Sequence, residues 1–393
     1  MAFVLSSLNV FEYLIKQGLC SSEAEAQSKI ERKHAKNFNL LLNLPEGRQL
    51  LVKQEPRAKD GETAGEFLRE WRIHEFFKEF PELNEIRDSI SAALYFDAQE
   101  SIIVFNYLND YRDLIDFYAK ENIFPPAIAT ALGTILAKIH RLTFERKDYQ
   151  EFFSGKQEEV TDVAHFLVKR LERIGPEMFG LVPADGIKFF ALYQRYDSLG
   201  QAIAELASSL NSCCLTHNDL KLNNILLSTH WEQAEFQESS SDNSKLRIID
   251  WERCSWGDPA FDLGFLIGSY LHIWLGSLMA GKAMSIDESL RLAITPLEQL
   301  QPSLSALVIA YLTHFEEILD RRPDFLRRVV QFSGWSLISI IQATLQYQKS
   351  FGNRGICMLQ VAKSLLCRPE QSIPTIFGKQ ASELTPTSFS PLA

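Results

Sequence analysis

"LTHNDLKLNNILL", residues 215–227, sets His217, Asp219, Lys221 and Asn224 close together and then runs at once into apolar sequence. A loop entering a buried strand needs Asn and Asp for its turn geometry. The stretch therefore has a purely structural reading, which has to be weighed against the rest of the chain.

The chain has 393 residues, 46% of them hydrophobic. That is enough for a sizeable core and for two or three units of structure. Forty basic against fifty acidic residues give a net charge of −10, which repels phosphate backbones and anionic lipid surfaces and argues against nucleic-acid and membrane partners. The six cysteines form no C-x-x-C pair, and no short apolar N-terminal segment ends in a cleavage site. A reducing cytoplasm is the expected compartment. One stretch, "LGFLIGSYLHIWLGSLMAG" (263–281), runs without Asp, Glu, Lys or Arg. It is long enough to span a bilayer, but its four glycines, two serines and His272 favour a buried helix of a large domain.

Outward from the opening stretch the texture changes twice. Toward the N-terminus the pattern predicts a helix over 8–16 and a second one whose capping box pairs Ser22 with Glu25. A hairpin follows, from "FNLLLNL" (38–44) and "QLLVKQE" (49–55) around "PEGR". A helix over 62–80 and a second strand pair, 92–97 with 101–108, complete this part. Beyond 110 the periodicity is mainly helical: 126–142, 187–210 and long segments from 286 to 366. Within it stands an island of two strands, 224–228 and 246–251, separated by a polar insertion. The segment after about Ile373, rich in Pro, Ser and Thr, reads as disordered. The expected organisation is an N-terminal lobe over 1–107, a helical lobe over 108–373 and a tail over 374–393.

A second acidic site lies downstream in "IIDWERCSWGDPAFDLG", 248–264. Phosphoryl transfer asks little covalent chemistry of a protein. It needs a carboxylate beside the attacking hydroxyl, and oxygen ligands that hold magnesium against the phosphates. Asp219 can supply the first, and Asn224 with Asp250 the second if the two island strands pair. With H-x-D-x-x-x-x-N (His217, Asp219, Asn224), I-D-W-E (Asp250, Trp251, Glu252) and the trailing "GDPAFDLG", the chain resembles the aminoglycoside phosphotransferase and choline kinase family. The resemblance runs from about residue 30 to 365. It implies a two-lobed, protein-kinase-like α+β fold with a small antiparallel-sheet lobe and a large helical lobe. It also implies ATP and magnesium as cofactors, Asp219 as catalytic base, Asn224 and Asp250 as metal ligands, and His217 and Asp262 as supports of the catalytic loop.

The same resemblance extends to the N-terminal half. "LLVKQ" (50–54) is similar to the kinase strand whose lysine pairs with nucleotide phosphates, which selects Lys53; a solvent-facing strand lysine is the plain alternative. Glu70, on one helical face with Ile73 and Phe77, is the expected partner of Lys53, with Glu66 one turn earlier as its rival. "VFNYL" (104–108) would be the hinge, with backbone groups from Phe105 to Tyr107 meeting adenine.

The chain also departs from the kinase pattern. "KIERKHAKNFNLLL" (29–42) holds no glycine where kinases carry a glycine-rich loop. His34, Lys36 and backbone near Asn37 could cradle phosphates, or form a solvated basic turn. Asp-Trp-Glu replaces Asp-Phe-Gly and no Ala-Pro-Glu follows, so control by an activation loop is not expected. Lys221 stands where protein serine/threonine kinases carry a charge-neutralising lysine; it reads as catalytic or as a solvated loop residue. His140 reads as a packed, satisfied histidine, and Cys213 and Cys214 as small buried residues.

Three functions remain open. One is a kinase of a hydroxyl-bearing small molecule. Another is a Ser/Thr kinase of a precursor peptide, phosphorylating ahead of elimination. The third is a catalytically inactive nucleotide-binding pseudokinase.

Overall fold

The computed structural model describes residues 3–33, 37–91, 93–154, 184–232, 245–279 and 284–385. The chain divides into two compact units: residues 1–113 with 225–254, and residues 114–224 with 255–393.

The first unit is built on a five-stranded antiparallel sheet. Its strands are β1 (Lys29–Lys33), β2 (Phe38–Asn43), β3 (Gln49–Gln54), β4 (Ala93–Asp97) and β5 (Ile102–Asn106), in the order β1-β2-β3-β5-β4. Pro45 and Gly47 turn β2 into β3, with Glu46 and Gly47 both at positive φ; glycine takes that conformation at no steric cost. The turn fixes the register Leu40↔Val52 and Leu42↔Leu50. Period-two alternation then gives the sheet two different faces. Leu40, Leu42, Leu50 and Val52 pack with Val10, Phe11 and Leu14 of the Val10–Lys16 helix. On the other face Ile103 and Phe105 pack with Phe67 of the Glu66–Glu79 helix.

The island strands Ile225–Ser228 and Leu246–Ile248 do pair, antiparallel. They are counted with the first unit, whereas the sequence pattern set them inside the helical region. Their hydrogen bonds explain the grouping: Tyr111–Asp113 adds a third strand, and Ile248 exchanges backbone bonds with Ser89 and Ser91. The N-terminal cap also shifts by one. Ser21, not Ser22, accepts the Ala24 N–H and opens the Ser22–Glu25 helix.

In the second unit the Pro126–Thr143 helix packs on Leu297–His314, and Pro259–Gly276 packs on Phe325–Gln348. Gly264 and Gly268, one turn apart, permit the second pairing. A Cβ at Gly264 would sit 2.5 Å from the Phe332 Cβ, and one at Gly268 would sit 2.5 Å from the Ser336 Cβ. Residues 263–276 of the charge-free stretch are thus part of a buried helix, and among the described residues no helix is long and apolar enough to cross a membrane. Asp258 caps it, accepting the Ala260 and Asn211 N–H groups and the Arg328 guanidinium at 2.6 Å. A short ribbon, Cys214–Thr216 with Ser255–Gly257, delivers the chain to the stretch at 217–224.

Two expectations are corrected here. The helix over 187–210 is two helices, Ala184–Gln194 and Asp197–Ser208, broken at Tyr196, whose backbone is not helical. The stretch expected to be disordered from 374 is helical over Pro369–Phe377 and Ala381–Leu384. Its Ser and Thr content misled the composition argument, because Ile373, Ile376, Phe377 and Leu384 are buried. Residues 386–393 lie outside the described residues.

Candidate active site

Asp219 sits on a loop whose main chain is held from one side by a single helix. Asp262, in the first turn of Pro259–Gly276, accepts the His217 N–H at 2.7 Å and the Asn218 N–H at 2.9 Å, one on each carboxylate oxygen. Ser269, seven residues on and so on the same helical face, accepts the Leu222 N–H at 3.1 Å. His140 completes the support: fully buried, it meets Tyr311 Oη at 2.8 Å through Nδ1 and Asp262 Oδ2 at 3.4 Å through Nε2. Asn218 lies at φ +59°, a left-handed conformation that Asn tolerates better than most residues. Its side chain donates to Ser255 Oγ and accepts from Thr216 Oγ1.

Within this frame the loop residues meet one another. His217 Nδ1 accepts the Asp219 N–H at 3.2 Å, and Asn224 Nδ2 donates to the Asp219 carbonyl at 3.0 Å. None of these bonds uses the Asn224 side-chain oxygen. The Lys221 ammonium lies 2.8 Å from Asp219 Oδ2, and both side chains are partly exposed. A carboxylate partly open to solvent, backed by a cation and carried on an anchored main chain, can accept a proton from a hydroxyl.

The first unit holds a second polar cluster. Lys53 Nζ is 3.6 Å from Asp250 Oδ1 and 5.2 Å from the centre of the Phe105 ring. Glu70, Asp250 and Glu252 bring carboxylate oxygens within 4.8 Å of one another. Burial pushes the Glu70 carboxyl up, and the neighbouring Asp250 and Glu252 charges push it further, against Lys53 and the Trp251 N–H. For Lys53, burial alone would lower the ammonium's pKa, but Glu70, Asp250 and Glu252 together outweigh it and the net shift is upward. Asp250 lies at φ +69°, a strained setting for a residue other than glycine.

The Glu66–Glu79 helix that carries Glu70 is tied at two places. The buried Glu55 carboxylate accepts the Glu66 N–H at 2.9 Å and the Phe67 N–H at 3.3 Å, and it also takes the Ser101 hydroxyl. A carboxylate at a helix N-terminus satisfies otherwise orphaned donors and complements the helix dipole. Arg69 Nε donates to the Glu252 carbonyl at 2.8 Å and fixes the helix against the turn after Asp250.

The sequence profile of the phosphotransferase enzyme family matches residues 34–283. The chain belongs to that family. Its fold is protein-kinase-like, with an antiparallel-sheet unit and a helical unit: the chain superposes on an aminoglycoside phosphotransferase, APH(2'')-IIa in its ternary complex with streptomycin and ATP, at a TM-score of 0.50 and 14% identity, covering 93% of this chain and 99% of that one. A choline kinase, LicA from Streptococcus pneumoniae, aligns at a TM-score of 0.45 and 18% identity over 91% of this chain and 99% of that one. Among curated proteins, a 4-hydroxytryptamine kinase from Psilocybe cyanescens is 23% identical over 196 residues. That match spans about half of each protein, 47% of both.

The residues singled out in the sequence fall into the two clusters described. His217, Asp219, Lys221, Asn224 and Asp262 meet in the second unit, and Lys53, Glu70 and Asp250 in the first. Glu70 rather than Glu66 joins the carboxylate cluster. Phe105 lies beneath the Lys53 ammonium. Tyr107 is not drawn into the cluster: its side chain is exposed, and its N–H is already given to the Gln49 carbonyl at 2.9 Å. His34 and Lys36 lie outside the described residues. Glu55, Glu252 and Ser269 carry no role implied by the sequence motifs, and His140, a packed histidine by sequence, also meets Asp262. The signal for Glu55 was present, since it follows Lys53 by two residues and so shares its strand face.

Proposed function

We propose that this protein is a phosphotransferase that moves the γ-phosphate of ATP, with magnesium, to a hydroxyl group of a small molecule. The observation that carries the reading is the Asp219 carboxylate, partly exposed on a loop whose N–H groups at 217, 218 and 222 are all held by one helix. Asp219 accepts the proton of the acceptor hydroxyl as the oxygen attacks. The Lys221 ammonium offsets charge that develops on the transferred group. Lys53 and Glu70 form the pair on the nucleotide side. Carboxylate and carboxamide oxygens are the donors magnesium prefers, and the Asp250 cluster fits that requirement; Asn224 and Asp250 are the assigned ligands. Magnesium, when bound, supplies neutralisation of phosphate charge.

A hydroxylated amine is the first acceptor class to examine, supported by the partial likeness to a 4-hydroxytryptamine kinase and by a net charge of −10, which attracts cations. The spacing of Lys221 from Asp219 favours a Ser/Thr peptide as the second. The protein is to be incubated with labelled ATP, with and without magnesium, against hydroxylated amines, amino sugars, amino alcohols and serine-containing peptides. Magnesium-dependent transfer to a small hydroxylated molecule is expected. Label passing only to peptides supports the second reading; nucleotide binding without any transfer supports a pseudokinase.

A further inference from the structure

The sequence over 29–43 contains no glycine, the residue that most readily permits close approach of backbone N–H groups to phosphates. The sheet offers another donor. Asn39 on β2 stands directly opposite Lys53 on β3, and Lys53 in turn stands opposite Ile103 on β5. Directly paired residues project from the same face with Cβ atoms about 4.5–5.5 Å apart. Asn39 therefore shares the face that carries Lys53 and, through it, the Asp250 cluster.

Two features set Asn39 apart from a structural asparagine. It is 9% exposed, and its Oδ1 is buried without a hydrogen-bond partner among the described residues. Asn37, two residues earlier, also has a buried Oδ1 without one. A buried amide with an unused polar atom carries a desolvation cost of about 1–3 kcal/mol, and a ligand, ion or ordered water at that atom relieves it. Which end of the amide faces the gap follows from its partner, because the two orientations are related by a simple flip. Beside a lysine and a carboxylate cluster the fitting partner is a phosphate oxygen, to which the flipped amide donates Nδ2–H.

We propose that Asn39 is a ligand of the nucleotide's phosphates and takes the part that a glycine-rich loop plays elsewhere. This rests on ATP being the phosphoryl donor. The test is calorimetry of magnesium–ATP and of adenosine with the full chain and two variants, together with thermal melts without ligand. Asn39→Leu should weaken magnesium–ATP about tenfold or more, the loss expected for a hydrogen bond to a charged partner, and leave adenosine within about twofold. Its melting temperature should stay level or rise, since the orphaned polar atom is gone. Asn39→Asp, nearly the same shape, should weaken magnesium–ATP at least as much by adding negative charge beside the phosphates. Parent-like magnesium–ATP binding in both variants, or an equal loss for adenosine, overturns the assignment. If the unaltered protein binds no nucleotide, the ATP reading itself falls, a separate outcome from failure of Asn39 alone.

Discussion

The two polar clusters are assembled in opposite ways. In the second unit the functional side chains come from one continuous stretch, and the scaffold holds their main chain: Asp262 and Ser269, on one helix, take the N–H groups of His217, Asn218 and Leu222. In the first unit the side chains come from three distant segments, β3, the Glu66–Glu79 helix and the turn at 250–252. They are held by bonds between those segments, such as Glu55 to the helix N-terminus and Arg69 to the Glu252 carbonyl. The first arrangement fixes a loop and leaves its side chains to act. The second makes the side chains themselves the joints, so a change there disturbs binding and architecture together.

Asp219→Asn attacks the loop without touching its frame, and it has the largest expected effect. Turnover should fall by roughly a hundredfold or more while magnesium–ATP affinity stays as it was, since in the proposed role Asp219 meets the acceptor and not the nucleotide. Near-normal turnover would remove Asp219 as the base. Asp250→Ala attacks the other cluster and should shift the damage from rate to binding. Titrations of ATP with and without magnesium should lose most of the magnesium-dependent gain in affinity, and an unchanged gain would rule Asp250 out as a ligand.

Lys221→Met sharpens the contrast at a smaller amplitude. The maximal rate should drop about tenfold with apparent ATP affinity almost untouched, because in the proposed role the charge it balances develops in the transition state; a full rate at saturating substrate would return Lys221 to the role of a solvated loop residue. The smallest effect concerns the first unit's stability. His74 accepts the Ala93 N–H at 2.9 Å, and burial first, then the Arg87 charge, lowers its pKa to about 4 from 6.5. A histidine depressed in the folded state contributes stability that is present above its unfolded pKa. That stability is lost as pH falls from about 6.5 through about 4, because the unfolded chain binds the proton first. Urea unfolding of His74→Gln should show a shallower decline over that window than the parent, and equal slopes would contradict the assignment.

The same contrast explains what could be read from sequence. The loop cluster was legible because chemistry and spacing lie in one string, so His217, Asp219, Lys221, Asn224 and Asp262 all emerge from two quoted stretches. Proline and glycine between two apolar runs likewise gave the β2–β3 hairpin, and the resemblance of "LLVKQ" to a kinase strand selected Lys53. Asn39 was not legible, because its significance depends on pairing register; for Glu55 the strand face could be read beside Lys53, but its bond to the helix depends on a start that periodicity locates only to within a few residues. The helices over 369–384 were missed for another reason: local composition was polar enough to suggest disorder, and their order comes from apolar residues spaced for burial against partners far away in the chain.

Anchoring through main-chain N–H groups also bears on how such a loop can change. A backbone amide is the same whatever side chain it carries, so the bonds at 217, 218 and 222 do not depend on what projects from the loop between them. Position 221 can be exchanged without unseating its neighbours. The helix serves as a holder into which different loop side chains fit while the grip beneath them stays the same.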